Sequence, residues 1–111
     1  MKKINILKKN EDFERIIKNN KSYKNKDYII YVEKNTSEFY HFGISVGKKV
    51  GNAVTRNKIK RQIKNIIDEK SYQKGFNCII IVGKGIINRN FKEMKENLIN
   101  ALSKLNLIKE K

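Results

Sequence analysis

The strongest constraint on the fold is a short run in the second half of the chain, Cys78-Ile79-Ile80-Ile81-Val82. All five side chains are apolar, so a strand formed here is apolar on both faces. Such a strand is typical of the centre of a sheet, because a half-exposed strand alternates apolar and polar residues. A chain of 111 residues has room for one small sheet and its helices, and a second domain does not fit.

Two earlier segments also have the composition of strands. Residues 28–32 are β-branched or aromatic throughout, and residues 40–46 alternate between large apolar side chains and small or polar ones. Residues 35–38 between them are Asn, Thr, Ser and Glu, which favour a turn. We therefore expect the two strands to pair as a hairpin, with Phe42 in the core.

Two helices are predicted from their caps and apolar spacing. Asn10, followed by two acids, is the predicted N-cap of a short amphipathic helix that ends near Lys18. Asn52 is the predicted N-cap of a longer helix, Ala53–Asp68.

A third helix closes the chain, and its start at Asn90-x-x-Glu93 matches a capping box. The order of elements is helix, strand, strand, helix, strand, helix, with room for one further short strand. This order predicts an α+β fold, a two-layer α/β sandwich with helices packed on a small mixed sheet. Nothing divides the sequence, so residues 1–111 are expected to form one domain. The apolar positions of the closing helix are Phe91, Met94, Leu98, Ala101, Leu102 and Leu105.

Charge limits the choice of partner. The chain has 26 Lys and Arg against 11 Asp and Glu, a formal net charge of +15. A domain this small repels itself at such a charge unless it meets a polyanion, and nucleic acid is the usual one, ahead of an acidic membrane surface. No apolar run approaches the ~18 residues that would cross a bilayer, and no signal-peptide core follows the basic start. The protein is therefore expected to be soluble and cytoplasmic.

Several kinds of chemistry are excluded by the residue counts. Cys78 and His41 are the single cysteine and histidine, so neither an internal disulfide nor a Cys/His metal site can form. Nucleophilic catalysis by a Cys–His or Ser–His arrangement is not expected either. We interpret Cys78 as an inert core thiol and His41 as a solvent-facing strand residue.

Residues 40–67 contain no acidic residue at all. At about 100° per residue, the isoleucines of the longer predicted helix form one stripe, and a row of cations and one amide forms the opposite stripe. The apolar stripe is expected to dock on the sheet, which turns the cations outward. A merely solvated helix face usually mixes charges in i,i+4 pairs, so this pattern favours phosphate binding. The outward row consists of Asn57, Lys60, Arg61 and Lys64.

Residues 44–61 form a long and specific motif, Ile-Ser-Val-Gly-Lys-Lys-Val-Gly-Asn-Ala-Val-Thr-Arg-Asn-Lys-Ile-Lys-Arg. It resembles the signature of the protein subunit of bacterial ribonuclease P, which typically reads Ser-Val-Ser-Lys-Lys-x-Gly-x-Ala-Val-x-Arg-Asn-Arg-x-Lys-Arg. The similarity extends to residues 7–13 and to the strand at residues 79–82. Departures are few, with Gly47 in place of the usual Ser and Lys58 in place of an Arg.

The resemblance implies a subunit of the ribonucleoprotein endonuclease that removes the 5′ leader from precursor tRNA. In that family the RNA subunit carries the catalysis and holds the Mg²⁺ ions, so no catalytic protein residue, organic cofactor, membrane partner or DNA partner is expected. The fold implied has a left-handed βαβ crossover, as in the second domain of a small-subunit ribosomal protein. By similarity, the catalytic RNA would contact Lys48, Lys49, Arg56, Asn57, Lys58, Lys60, Arg61 and Lys64. The single-stranded leader would lie in a cleft between the first helix and the sheet, with Phe13, Tyr31 and Lys9.

Alternation along the first strand places Tyr28 and Tyr31 on opposite faces, and an exposed ring at Tyr31 suits a splayed nucleotide. For Phe13, packing in the core is an equally good interpretation. Two other functions also stay open. A stand-alone nuclease would need a carboxylate cluster or a pair of histidines. A structural RNA-binding protein, such as a small ribosomal protein or an RNA chaperone, would share the charge, and the motif at residues 44–61 is the feature against it.

The charge distribution makes a first prediction. If the cations of residues 40–67 meet phosphates, binding to RNA releases counterions, and the logarithm of the affinity falls linearly with the logarithm of the salt concentration. We expect a loss of roughly 10³-fold or more between about 50 and 200 mM salt, measured by titration of labelled RNA. A flat salt response would contradict the electrostatic interpretation.

Overall fold

The computed structural model describes residues 1–109. Three α-helices and a four-stranded sheet, with short 3₁₀ turns between them, make up the fold. The helices are α1 (Asn10–Asn19), α2 (Ala53–Asp68) and α3 (Phe91–Lys104). The strands are β1 (Tyr23–Asn25), β2 (Tyr28–Lys34), β3 (Tyr40–Val46) and β4 (Phe76–Val82), in the sheet order β1-β2-β4-β3.

The apolar run at residues 78–82 lies in β4, between β2 and β3, so the prediction of a central strand is confirmed. The predicted hairpin between residues 28–32 and 40–46 is wrong. β4 pairs antiparallel with β2 and parallel with β3, and it separates the two. The strand that is apolar on both faces takes the interior of the sheet, which leaves the edge for β3. The hairpin is instead β1–β2, and β1 is the further short strand for which the element order left room.

The parallel pair β3–β4 is joined through α2 and therefore forms a βαβ unit. Its left-handed sense stays a prediction. Neighbouring residues of β3 point to opposite faces of the sheet. Phe42 belongs to the core that contains Ile63 of α2 and Leu98 of α3, whereas a side chain at Gly43 would meet Phe13 of α1. Thus α2 and α3 cover one face, and α1 lies on the other.

The α+β class, with helices packed on a small mixed sheet, is confirmed. The expected two-layer packing describes the side of α2 and α3, where the main core lies. Ile63 and Ile66 are fully buried there, as is Cys78, and burial raises the pKa of the Cys78 thiol. Four rings form one end of this core, with centroids 5.0–6.5 Å apart: Tyr40, Phe42, Tyr72 and Phe76.

Two of the three predicted caps are confirmed. The Asn52 side chain accepts a hydrogen bond from the Thr55 amide at 3.0 Å, so α2 begins where the sequence predicts. Asn90 and Glu93 form the reciprocal capping box of α3, with distances of 2.8 and 3.0 Å. The predicted N-cap at Asn10 is wrong, because Asn10 is already part of α1 and its side chain does not cap the helix.

The apolar spacing of the closing helix predicts that Phe91 packs in the core, and this prediction is wrong. Phe91 is the first residue of α3 and is 41% exposed.

The N-terminal segment, residues 1–7, runs along the outer edge of β3. The Leu7 amide donates to the Phe42 carbonyl at 2.9 Å, and the buried Asn5 side chain donates to the Tyr40 carbonyl at 2.7 Å. The segment thus shields the free edge of the sheet, which otherwise presents unpaired backbone groups. It also provides one wall of each of two surface grooves described below.

The opposite faces of α2 make a second prediction. Ile63→Ala should lower the free energy of unfolding by about 2–5 kcal/mol, because a fully buried side chain is removed. Its neighbour Lys64 turns outward, and Lys64→Ala should change stability by less than about 1 kcal/mol while it weakens RNA binding. Denaturant unfolding and RNA titration of both variants provide the measurement. Exchanged effects would mean that the helix docks the other way round.

Candidate nucleic-acid interface

The outward face of α2 carries cations that nothing in residues 1–109 neutralises. No Lys or Arg between residues 48 and 64 takes part in an ion pair with the described residues. The Nε atom of Arg56 is buried, and it also lacks a hydrogen-bond partner in that part of the chain. A buried donor without an acceptor is costly, so this atom is suited to an acceptor brought by a ligand. Lys48 and Lys49, on the 3₁₀ turn before α2, extend the same basic surface and are exposed.

A groove of about 470 Å³ opens between the N-terminal turn of α1 and the middle of α2, at the outer edge of β3. We call it the α1–α2 groove. Lys60 and Lys64, one helical turn apart and both half-buried, form its α2 wall. Phe13 forms part of the opposite wall. The remaining lining residues are Met1, Ile6, Leu7, Lys8, Asn10, Glu14, Phe42, Ile44, Ser45 and Val46.

Gly43 sets how closely Phe13 can approach the sheet. A Cβ atom at this position would lie 2.6 Å from Cζ of Phe13 and 2.9 Å from Cδ1 of Ile79. Because non-bonded carbon atoms do not approach so closely, only glycine lets the ring rest on the strand at this point. The Phe13 ring is therefore half-buried, with one part against the sheet and another in the groove.

The structure brings together only some of the residues predicted for the leader cleft. Phe13 lines the α1–α2 groove, whereas Tyr31 and Lys9 do not. Lys9 precedes α1 and is exposed, and Lys8 takes the place beside the groove. Tyr31 pairs with Ile79, which pairs in turn with Gly43, so it lies on the α1 face two strands away, about 10 Å from the strand under Phe13. Tyr31 is half-buried and so less exposed than predicted. Tyr28 lies on the opposite face, as predicted, and is fully buried.

Four side chains connect α1 to three strands on this face. Arg15 of α1 donates two hydrogen bonds to the Glu33 carboxylate, at 3.0 and 3.1 Å, and these hold the pKa of Glu33 below its usual range. Glu33 accepts from Nδ2 of Asn77 at 2.9 Å, so the Oδ1 atom of Asn77 is the acceptor toward His41 at 2.7 Å. The His41 proton must then be on Nδ1. We call this set the polar relay.

His41 is thus not simply solvent-facing as predicted. It is half-buried and hydrogen-bonded within the sheet.

Several groove residues escaped the sequence analysis. Lys8, Ser45 and the N-terminal segment come together only through the bridge between Ile6 and Phe42, which no local pattern indicates. Gly43 left a usable signal, since a glycine inside an alternating strand often marks a close approach. Within residues 1–109, no group of three or more His, Cys, Asp or Glu side chains is placed to hold a metal ion. No helix there is long and apolar enough to span a membrane.

Taken together, the basic helix face, the unpaired cations and the aromatic groove have the make-up of a small nucleic-acid-binding protein. Comparison with known proteins is specific. The family model described as ribonuclease P matches residues 1–106. The ribonuclease P protein component of Streptococcus pyogenes serotype M5 is 37% identical, in an alignment that covers 99% of this chain and 93% of that protein.

Solved structures agree. The ribonuclease P protein of Staphylococcus aureus matches with a TM-score of 0.86 at 30% identity, over 95% of this chain and 98% of that one. The protein from Thermotoga maritima matches with a TM-score of 0.80 at 31% identity, over 88% and 94%.

The chain belongs to the ribonuclease P protein family. The resemblance carried by residues 44–61 is confirmed. Members of this family are the protein component of an endoribonuclease complex that matures the 5′ end of tRNA, so the chain is such a component and its partner is the ribonuclease P RNA.

The contact between Gly43 and Phe13 makes a third prediction. Gly43→Ala should cost roughly 1–3 kcal/mol of stability, because the added methyl group forces the Phe13 ring off the strand. In a Phe13→Ala background the same change should cost clearly less, and thermal unfolding of the double-mutant cycle measures the difference. Gly47→Ala is the matched control, since nothing lies within 4 Å of a Cβ there. Equal costs in both backgrounds would show that Phe13 is not the residue that requires glycine.

Proposed function

We propose that this chain binds the catalytic RNA of ribonuclease P through the outward face of α2, and the 5′ leader of precursor tRNA in the α1–α2 groove. The RNA performs the cleavage with its own Mg²⁺ ions, and the protein contributes cations and a site for single-stranded RNA. We place this activity in the cytoplasm, with RNA and not DNA as the polyanion.

The observation that carries the proposal is the row of unneutralised cations on α2. Asp68 and Glu69, at the end of α2, pair with the Met1 amino group and with Lys95, and the ion pairs of Arg15 and Arg89 lie on other elements. Glu14 of α1 lines the same groove as Lys60 and Lys64 but forms no ion pair with them. An RNA backbone is the partner that such a row suits, because each phosphate contact releases a counterion. The orphaned Nε atom of Arg56 and the forked head of Arg61 suit phosphate oxygens, and Asn57 adds an amide for a base edge or a sugar. Lys58 keeps the charge at a position where the family usually has Arg.

The α1–α2 groove supports the leader site for a different reason. Single-stranded RNA binds where an aromatic face can stack with a base and nearby cations hold the backbone. The groove offers the Phe13 ring on one wall and Lys60 and Lys64 on the other. Lys8 and Lys9 approach from the start of α1, and Tyr31 offers a second ring on the same sheet face.

The chemistry assigned to the RNA follows from what these side chains can do. Lysine, arginine, asparagine and aromatic groups hold and orient an RNA strand, but none of those at this interface forms the pair of general acid and base that phosphodiester cleavage by the protein would need. Mg²⁺, held mainly by the RNA subunit, supplies the charge stabilisation at the scissile phosphate. The protein's cations take over part of the phosphate screening.

The leader site makes a fourth prediction. The test compares binding constants of holoenzymes for precursor tRNA with a leader and for mature tRNA. Tyr31→Ala should reduce the difference in binding free energy between these two substrates by about 1–3 kcal/mol if one base stacks there. Phe13→Ala should have the same effect at the groove. Mature tRNA binding and assembly with the RNA subunit should remain as in the wild type.

A cleavage assay on precursor tRNA provides the control. Protein freed of RNA should not cleave precursor tRNA, and its addition to ribonuclease P RNA should lower the Mg²⁺ concentration needed. An unchanged difference in binding free energy would remove Tyr31 or Phe13 from the leader site, and cleavage by the protein alone would overturn the mechanism.

A further inference from the structure

A second groove lies beside the first, on the other side of the N-terminal segment. It has a volume of about 580 Å³, within the range of about 300–1,000 Å³ that ligand sites occupy. We call it the Phe39 groove. The N-terminal segment, the start of β3, the end of α2 and the connection to β4 form its walls. Its lining residues are Met1, Lys2, Ile4, Asn5, Glu38, Phe39, Tyr40, Asp68, Lys70, Tyr72 and Lys74.

Phe39 is an exposed aromatic residue on a hydrogen-bonded stretch of backbone. It is 47% exposed, although Tyr40 beside it joins the buried ring cluster. Its amide donates to Oγ of Ser37 at 2.9 Å, and its carbonyl accepts from the Gly75 amide at 3.2 Å. An exposed aromatic ring on a held backbone suits a stacked base, because the backbone need not be ordered on binding.

The rim of the Phe39 groove is basic. Three exposed lysines surround it, and two acids oppose them. One acid, Asp68, is already neutralised by the amino group of Met1 at 2.6 Å. Among residues 1–109, Glu38 is the rim acid that forms no ion pair. Ionised phosphates are the complement of such a surface. The lysines are Lys2, Lys70 and Lys74.

The two grooves are neighbours along one helix. Lys60 and Lys64 line the α1–α2 groove, and Asp68, one further turn along the same stripe of α2, lines the Phe39 groove. The distance along the axis from residue 60 to residue 68 is about 12 Å at 1.5 Å per residue. Met1 lines both grooves. A strand of RNA that leaves the first groove therefore has only a short distance to cover before it reaches the second.

We propose that the Phe39 groove binds nucleotides of the 5′ leader that lie upstream of those in the α1–α2 groove, with one base stacked on Phe39 and phosphates on the rim lysines. This inference rests on the leader site proposed above. A protein partner fits less well, since the cores of protein interfaces are depleted in lysine, and here Ile4 and Phe39 are the exposed large apolar residues among lysines.

The test is a ladder of precursor tRNAs whose leaders grow by single nucleotides, bound to holoenzymes with wild-type protein, Phe39→Ala or Phe91→Ala. Wild-type affinity should rise in two stages as the leader reaches each groove in turn. Phe39→Ala should remove the second stage, a loss of about tenfold for long leaders, and should leave short leaders and mature tRNA as in the wild type. Phe91→Ala, a similarly exposed phenylalanine that lines neither groove, should match the wild type throughout.

Phe39→Tyr separates stacking from folding, because a tyrosine ring keeps the stacking face and should restore the second stage. An equal loss on all substrates would assign Phe39 to contacts with the catalytic RNA or with another copy of the chain, and would overturn the inference. If Phe39→Ala left the dependence of affinity on leader length unchanged, the inference would also be overturned. If wild-type affinity did not depend on the leader at all, the leader site proposed for the first groove would fail as well, whereas a single intact first stage would leave that proposal standing.

Discussion

The packing of the α2 isoleucines against the sheet is the interaction on which the rest of the structure depends. β3 and β4 are parallel, so the chain must cross from the end of one to the start of the other, and α2 makes that crossing. Ile59, Ile63 and Ile66 are at most 6% exposed. Their burial fixes the rotation of the helix about its axis, and the rotation decides where Lys60, Arg61 and Lys64 point. The basic face that we propose binds RNA is therefore oriented by the core.

Features with a local cause could be predicted from the sequence. The bounds of α2 follow from the Asn52 cap and from isoleucine spacing, and the start of α3 follows from its capping box, because each signal lies within one helical turn. The order of the strands in the sheet could not be predicted in the same way. A turn at residues 35–38 suggests a hairpin, yet the strand that pairs with both lies more than thirty residues further along the chain. Strand neighbours depend on burial in the whole sheet, which no window of sequence contains.

In the candidate site, too, the features with a local cause could be predicted and those that depend on tertiary contacts could not. The cations of α2 were identified because one helix presents them all, and the motif at residues 44–61 placed them in a family. The two grooves were not identified, because the walls of each come from three separate stretches of chain. The bridge that aligns the N-terminal segment with β3, from Leu7 to Phe42, creates both grooves at once. Sequence patterns indicate which side chains can bind RNA; the tertiary contacts decide which of them act together.

The position of α1 shows how such a groove is kept in shape. Ile16 is the one fully buried residue of this helix, so apolar packing alone holds it weakly on its face of the sheet. The polar relay helps to fix the orientation of α1, because the two hydrogen bonds from Arg15 to Glu33 hold one side of the helix over β2. On the other side, Phe13 rests on the space that Gly43 leaves. Since Glu33 keeps a lowered pKa in this arrangement, its carboxylate stays charged at neutral pH and the relay persists. With both sides of α1 fixed, the aromatic wall of the groove faces Lys60 and Lys64 before any RNA arrives, so binding a leader strand need not order that wall.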